Sequence, residues 1–142
     1  MQIFEVPEFA QKRTIISLPP TATAMEAAKV LAENNIGAIP VVEDGKLVGV
    51  FSERDFIKRI IIPGKDPGSV RLNRIMTTNP DFISPDETVG KAINLMVTHH
   101  YRHMPVVENG KLVGFLSQRD FMALSWMELI KFKNRGNDGA TT

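Results

Sequence analysis

Two short stretches of the chain carry the same three polar residues at the same spacing, Ser-x-Arg-Asp. They lie 65 residues apart, the first with Ser52, Arg54 and Asp55 and the second with Ser117, Arg119 and Asp120. A serine followed three residues later by an acid is typical of a helix start, because the hydroxyl and the carboxylate each accept a backbone N–H. For one copy alone, helix capping is a sufficient explanation.

Capping does not explain the arginine. A cation in the first turn opposes the helix dipole and costs roughly 0.3–1 kcal/mol when exposed, yet both copies have one, Arg54 and Arg119. An anion at the helix start would offset this cost, since backbone N–H groups, the serine hydroxyl and the guanidinium would all hold it. The aspartate could then accept hydrogen bonds from a neutral diol such as a ribose. Phosphate and ribose together predict a nucleotide.

Both sets belong to a longer repeat. Residues 40–56 (PVVEDGKLVGVFSERDF) and 105–121 (PVVENGKLVGFLSQRDF) are identical at 13 of 17 positions. Identity at a fixed offset indicates duplicated units with one architecture. In each copy Asp-Gly or Asn-Gly separates two β-branched runs, which is the strongest local signal of a β-hairpin with a type I′ turn.

A helix and a short strand are predicted upstream of each hairpin. Thr23 and Glu26 form a capping box for the first helix, whereas Thr88 opens the second without a matching acid. Short apolar runs at 14–18 and 82–84 precede these helices and are predicted as strands. Each half is therefore predicted as β-α-β-β-α, an α+β fold whose two halves pack with pseudo-two-fold symmetry.

These patterns also predict the boundaries of the units. We expect an N-terminal lead-in over 1–12, a first unit over 13–68, a connector and second unit over 69–133, and a disordered polar tail over 134–142. The lead-in is either loose or a short helix, and the sequence leaves both open. The connector is expected to contain a short helix through Leu72.

The composition excludes several functions. The chain has 17 basic and 16 acidic residues, a formal net charge of +1, so we predict no nucleic-acid binding. It has no cysteine, which excludes disulfides and thiolate metal sites. Neither a basic leader nor a long apolar run is present, so we expect a cytoplasmic protein without a membrane span.

Other chemistry fits the residues less well. The Gly-Lys pairs at 45–46 and 110–111 lack the upstream glycine of a phosphate-binding P-loop. His99, His100 and His103 cluster before the second copy, but without cysteine or a carboxylate companion we predict no metal site. No histidine or second carboxylate recurs beside both serines, so we predict no catalytic residues and no enzyme.

The repeat resembles the CBS domain, and two in tandem resemble a CBS pair, or Bateman module. The resemblance is carried by the heptapeptides at 49–55 (GVFSERD) and 114–120 (GFLSQRD), and by the phrases IMT at 75–77 and RHMP at 102–105. It covers roughly residues 13 to 130. It implies two CBS domains, in the first and second units defined above.

The resemblance also implies a ligand. CBS pairs bind adenosine-containing molecules in clefts between the repeats, so we expect an adenine nucleotide, with AMP placed first and ADP, ATP, NAD(H) and S-adenosylmethionine as alternatives. No obligatory cofactor is implied. By position, Asp55 and Asp120 would hold ribose hydroxyls, and each Ser and Arg of the Ser-x-Arg-Asp sets would hold phosphate. The remaining implied contacts are Ile16, Ser17, Ala38, Ile39, Pro40, Thr77, Thr78, Phe82, Ile83, His103, Met104 and Pro105.

The two copies are not expected to be equal. Arg102 and His103 add hydrogen-bond donors ahead of the second hairpin, where the first copy has Gly37 and Ala38. We therefore expect the second copy to form the better site for a phosphorylated ligand.

The resemblance implies a regulatory role. With no catalytic or transport domain expected on the chain, the regulated partner would be a separate, unidentified protein, and the chain would form a homodimer. The alternative is a dimerising interaction module that binds no nucleotide physiologically.

Overall fold

The computed structural model describes residues 1–11 and 14–124, which form two similar halves. In chain order the elements are a 3₁₀ turn (Ile3–Glu5), α1 (Pro7–Ala10), α2 (Ala24–Asn34), β1 (Ala38–Glu43), β2 (Lys46–Ser52), α3 (Glu53–Phe56), a π-helical continuation (Ile57–Ile61), a second 3₁₀ turn (Leu72–Arg74), β3 (Thr77–Thr78), α4 (Val89–His99), β4 (His103–Glu108), β5 (Lys111–Ser117) and α5 (118–124). The mixed helix-and-strand fold with two repeated units confirms the predicted α+β class. The prediction for the tail at 134–142 lies outside the described residues.

The two hairpins confirm the turn prediction. Asp44 and Gly45 have φ of 53° and 78°, and Asn109 and Gly110 have φ of 52° and 79°. Positive φ at both central residues is what a type I′ turn requires, and it matches the right-handed twist of the flanking strands. Both hairpins also carry a register shift at the same place, between Val41 and Val42 and between Val106 and Val107.

The predicted first strand of each half was wrong in extent. Each is reduced to a one-residue parallel bridge, Leu18 to Val41 in the first half and Ile83 to Val106 in the second. Leu18 is followed by two prolines, which have no N–H to continue a ladder. The bridges also correct the alignment of the halves, because Leu18 corresponds to Ile83 and Ser17 therefore corresponds to Phe82.

The helix starts follow the predicted capping. Thr23 Oγ1 accepts the Glu26 N–H (3.1 Å), and Glu26 Oε2 accepts the Thr23 N–H (3.4 Å). Thr88 caps α4 through the Lys91 N–H (3.1 Å) without a reciprocal acid. Each satisfies backbone donors that the first helical turn leaves without intrahelical partners.

The lead-in and the connector pack on opposite halves in the same way. In the lead-in, Ile3 N–H donates to Glu87 O (2.9 Å) and Phe4 N–H to Pro85 O (3.1 Å). In the connector, Leu72 N–H donates to Ala22 O (2.8 Å) and Asn73 N–H to Pro20 O (3.0 Å). The lead-in is therefore a 3₁₀ turn and a short helix that belong to the second half, and the connector completes the first.

Each half has its own apolar core. The first contains Ala22, Ala24, Ala27, Leu31, Ile39, Val41, Phe51, Ile60, Leu72 and Ile75. The second contains Ile3, Val6, Ile83, Ala92, Met96, Met104, Val106, Leu116, Phe121 and Leu124. The hairpins join the halves, where Leu112 N–H donates to Gly45 O (3.1 Å). Within the described ranges, no helix is long and apolar enough to cross a membrane.

Glycine is required where these segments cross the sheets. A Cβ at Gly49 would lie against the Met76 side chain and 2.9 Å from Thr77 O, and a Cβ at Gly114 would lie 2.7 Å from the Phe9 ring. Both distances are shorter than a carbon atom tolerates. The glycines therefore allow the connector and the lead-in to lie directly on β2 and β5.

Gly49→Ala should lower the free energy of unfolding by about 1–3 kcal/mol, because the methyl group must push β3 off its neighbour. Chemical denaturation of both proteins measures the difference. Gly90→Ala, an exposed glycine whose added Cβ meets only Thr88 Oγ1 at 3.9 Å, is the matched control and should cause no loss. A Gly49→Ala protein as stable as the wild type would show that the close packing of β2 and β3 is not required.

Candidate ligand cleft

The two Ser-x-Arg-Asp sets form closely similar helix starts. Asp55 Oδ2 accepts the Ser52 N–H (3.0 Å), and Ser52 Oγ accepts the Asp55 N–H (3.1 Å). In the second copy the corresponding distances are 2.8 Å and 3.2 Å, between Ser117 and Asp120. One carboxylate oxygen of each aspartate is thus used in the cap, and the other accepts no hydrogen bond from the described residues.

The first helix start is tied to the connector by Arg59. Its Nη1 donates to Ile75 O (2.7 Å) and Met76 O (3.0 Å), and its Nε lies 3.7 Å from Asp55 Oδ1. The last distance is an ion-pair contact and too long for a hydrogen bond, so Asp55 Oδ1 can still accept one. The second copy has Leu124 at the corresponding position, and no cation there orients Asp120.

A cleft of about 520 Å³ lies between the two halves, next to the first helix start. Its lining includes eight of the predicted site residues: Ala38, Ser52, Arg54, Asp55, Thr77, Arg102, His103 and Pro105. Residues from both halves therefore share one cavity. Arg102 and His103, expected to favour the second copy, face the same space as the Ser-x-Arg-Asp set of the first.

Ten further lining residues were not predicted from the sequence: Gly37, Val50, Glu53, Ile57, Lys58, Pro80, Asp81, His99, His100 and Tyr101. From the sequence, His99 and His100 were candidates for metal binding alone. Within the described ranges, no group of three or more His, Cys, Asp or Glu side chains is arranged to hold a metal ion. Their position in the sequence is the signal that could have found them, since residues 99–102 lead into β4 as residues 34–37 lead into β1.

The positively charged side chains of the cleft are available to bind a ligand. Among the described residues, the side chains of Arg54, Lys58 and Arg102 form no hydrogen bond or ion pair, and all three residues are exposed. The acids are more engaged, because Asp55 caps its helix and Asp81 Oδ2 accepts the Tyr101 hydroxyl (2.7 Å). This hydrogen bond raises the pKa of Tyr101. Glu53 is the uncommitted acid of the lining, so the available charge is predominantly positive.

The other predicted site residues lie elsewhere. Ile39, Pro40, Met104 and Ile83 are buried, whereas Ile16, Ser17, Phe82 and Thr78 are exposed. Thr78 pairs with Gly49 in the sheet, next to Thr77 at the cleft. Ser117, Arg119 and Asp120 are at the start of α5, outside the residues that line this cleft.

His103 lies at the junction of the two halves. Its ring stacks on Phe115, with centroids 5.1 Å apart and planes 13° from parallel. Burial lowers the pKa of His103, Asp120 opposes the shift and Arg102 adds to it. The imidazole is therefore neutral near pH 7 and packs as an aromatic ring.

A second, more open groove of about 590 Å³ runs between α4 and α5. Its apolar lining consists of Ile93, Met96, Val97, Phe121 and Met122. It shares Arg54, His100, Tyr101 and Arg102 with the cleft. These four residues form the ridge between the two cavities.

Comparison with known proteins gives a consistent family. The sequence model of the CBS domain matches residues 8–62 and 72–126. The CBS domain-containing protein YhcV of Bacillus subtilis is 34% identical over 106 residues, which are 75% of this chain and 75% of YhcV. The uncharacterized protein MK0525 of Methanopyrus kandleri is also 34% identical, over 113 residues, and the match spans 78% of this chain and 58% of the length of that relative.

Solved structures match over a similar share of this chain. The CBS domain protein PAE2072 of Pyrobaculum aerophilum, solved in complex with AMP, is 34% identical with a TM-score of 0.74, covering 84% of this chain and 89% of that one. The CBS domain pair of protein MJ0100, solved with 5′-methylthioadenosine and S-adenosyl-L-methionine, is 26% identical with a TM-score of 0.77, covering 90% and 98%.

The lowered pKa of His103 predicts a pH-dependent stability. From about pH 7 to about pH 5 the unfolded chain takes up a proton at this imidazole, ordinary pKa 6.5, before the folded chain does, so stability falls as pH falls. In His103→Gln the loss over this interval should be smaller, whereas the exposed control His100→Gln should lose as much as the wild type. Denaturation curves across the interval measure this, and equal losses in all three proteins would contradict it.

Proposed function

The chain belongs to the CBS domain family as a tandem pair, and on this premise we propose that it is a regulatory module that binds an adenosine nucleotide in the cleft lined by Asp55. The observation that carries the proposal is the convergence of Ser52, Asp55 and three free cations in one cavity. A cleft of about 520 Å³ is within the range of small-molecule sites. PAE2072, whose structure contains AMP, supports the ligand class.

Each part of the ligand has a chemical counterpart in the cleft. Asp55 Oδ1, which makes only the long contact to Arg59, is the acceptor for a ribose diol. Arg54 and Arg102 are the partners for phosphate, since guanidinium groups bind phosphate oxygens with two hydrogen bonds. Ala38, Val50 and Pro105 provide apolar surface for the base.

The charge of the cleft favours a phosphorylated ligand over a sulfonium. Arg54, Lys58 and Arg102 are uncommitted, and Glu53 alone among the lining acids has no partner in the described part of the chain. S-adenosylmethionine carries a cationic centre that these side chains would repel. We therefore place AMP first, then ADP and ATP, and S-adenosylmethionine after them.

Signalling would follow from the position of the cleft. Because both halves line it, a ligand that binds one arrangement of the halves more tightly shifts the chain towards that arrangement. A shift of the halves would be read by a separate partner protein, or by a second copy in a homodimer. Exposed apolar side chains on two helical faces, Ile57, Ile61 and Ile62 on one and Val97 and Met122 on the other, support a dimer.

A dimerising module that binds no nucleotide is the second candidate, and the same exposed apolar faces favour it. An enzyme is not proposed. In the described part of the chain, Ser52 is hydrogen-bonded within its own cap, and no histidine base is hydrogen-bonded to it. A cytoplasmic location remains a prediction from the sequence.

Calorimetric titration of the purified protein with AMP, ATP and S-adenosylmethionine tests the proposal directly. We expect AMP to bind below the millimolar range and more tightly than S-adenosylmethionine. Failure of all three ligands to bind in that range would leave the interaction module as the better description.

Asp55→Asn should weaken AMP binding about tenfold or more, because a hydrogen bond to a charged acceptor contributes about 1.5–3 kcal/mol. The amide keeps an oxygen for the helix cap, so the fold should persist, as circular dichroism would verify. Asp120→Asn changes the same motif outside the cleft and should leave the affinity unchanged. Equal losses in both variants would mean that the ribose does not lie at Asp55.

Arg102→Gln should weaken binding of AMP and, more strongly, of ATP, because it removes a cation from the phosphate end of the cleft. Arg119→Gln is the matched control at the start of α5. Calorimetry at two salt concentrations checks the electrostatic origin, since screening should reduce the difference between the variants. If Arg119→Gln were the more damaging change, the phosphate would lie at the second helix start.

A further inference from the structure

Two of the residues that we assign to the base, Ala38 and Val50, have equivalents in the second half, and strand pairing identifies them. Ala38 pairs with Ser52 and Val50 with Pro40 in the first half. At the same places in the second half, His103 pairs with Ser117 and Phe115 with Pro105. His103 and Phe115 are thus the counterparts of Ala38 and Val50.

The two residue pairs differ in how much space they leave for a base. Ala38 and Val50 are small and line the open cleft beside Asp55, which His103 also borders from the second half. His103 and Phe115 are aromatic and stack on each other at 5.1 Å with nearly parallel planes. A flat ring on the face of another aromatic ring is the geometry that a stacked purine would adopt.

We propose that the stacked His103–Phe115 pair occupies the base position of the second half, so that the chain binds one adenosine ligand, in the Asp55 cleft. The inference rests on the proposed function and adds the occupancy of its two equivalent positions. A base that enters the second position must take the place of one of these two rings.

The surroundings of His103 favour the stacked position. The residue is half-buried, and this burial lowers the pKa of the imidazole and keeps it uncharged near pH 7, so stacking on Phe115 buries no charge. The ring also lies near the loop that precedes β1, since a Cβ added at Gly37 would lie 3.8 Å from His103 Cε1. The ring therefore fills space beside both Phe115 and this loop, where a base would otherwise insert.

The same geometry leaves the rest of the second position intact. Asp120 uses Oδ2 in its helix cap, and in the described residues no cation pairs with Oδ1. Ser117, Arg119 and Asp120 retain the polar groups that the first half uses. Occupancy is therefore limited at the base and not at the ribose or phosphate.

Substitutions that exchange these two residue pairs between the halves test the proposal, with calorimetric titration of AMP as the measurement. The wild type should bind one AMP per chain. His103→Ala/Phe115→Val, which installs the residues of the first half, should bind two. Ala38→His/Val50→Phe should lose the wild-type binding event, because the introduced rings fill the open cleft.

Phe115→Val alone is the cleaner single change, because Phe115 does not line the open cleft. It should add a second binding event and leave the first affinity unchanged, and unfolding curves verify that the variant is folded. If the double variant does not fold, Phe115→Val and the wild-type stoichiometry decide. Two AMP molecules per wild-type chain, or a single event in every folded variant of the second half, would overturn the inference, whereas no binding at all by the wild type would instead contradict the proposed function.

Discussion

The structure depends on the close packing of two peptide segments on two strands. The connector lies on β2 at Gly49, and the lead-in lies on β5 at Gly114, each at a distance that admits no Cβ. A two-stranded hairpin by itself is marginal in water, so each hairpin depends on the helices and on the segment packed against it. Because each covering segment comes from outside the half that it completes, the halves are tied to each other.

Arg59 connects this packing to the cleft between the halves. The side chain holds the carbonyls of Ile75 and Met76 and lies beside Asp55. Thr77, the next residue of the connector, lines the cleft. The segment that completes the first core therefore also sets the position of the carboxylate, and a ligand on Asp55 would act on the element that joins the halves.

A few substitutions make the repeats unequal although their backbones match. Backbone hydrogen bonds 65 residues apart correspond closely, as for Glu53 N–H to Gly37 O (3.0 Å) and Gln118 N–H to Arg102 O (2.8 Å). The side chains on this common backbone differ. In the first half Asp55 is paired with Arg59, and the small residues Ala38 and Val50 line the cleft. In the second half no cation among the described residues pairs with Asp120, and two aromatic rings stack on each other. Sequence identity between the repeats thus predicts their backbone better than it predicts the side chains that surround each helix start.

The sequence by itself determined the local structure: the type I′ turns, the helix caps, the α+β class and the family, because each depends on a few neighbouring residues. It could not determine which side chains share a cavity. Arg102 and His103 were assigned to the second copy by proximity in sequence, yet only the packing of the halves decided that they face Ser52 and Asp55. The Ser-x-Arg-Asp pattern predicts two similar helix starts, and the tertiary structure decided that one of them borders the cleft, since that depends on contacts between residues some 50 positions apart.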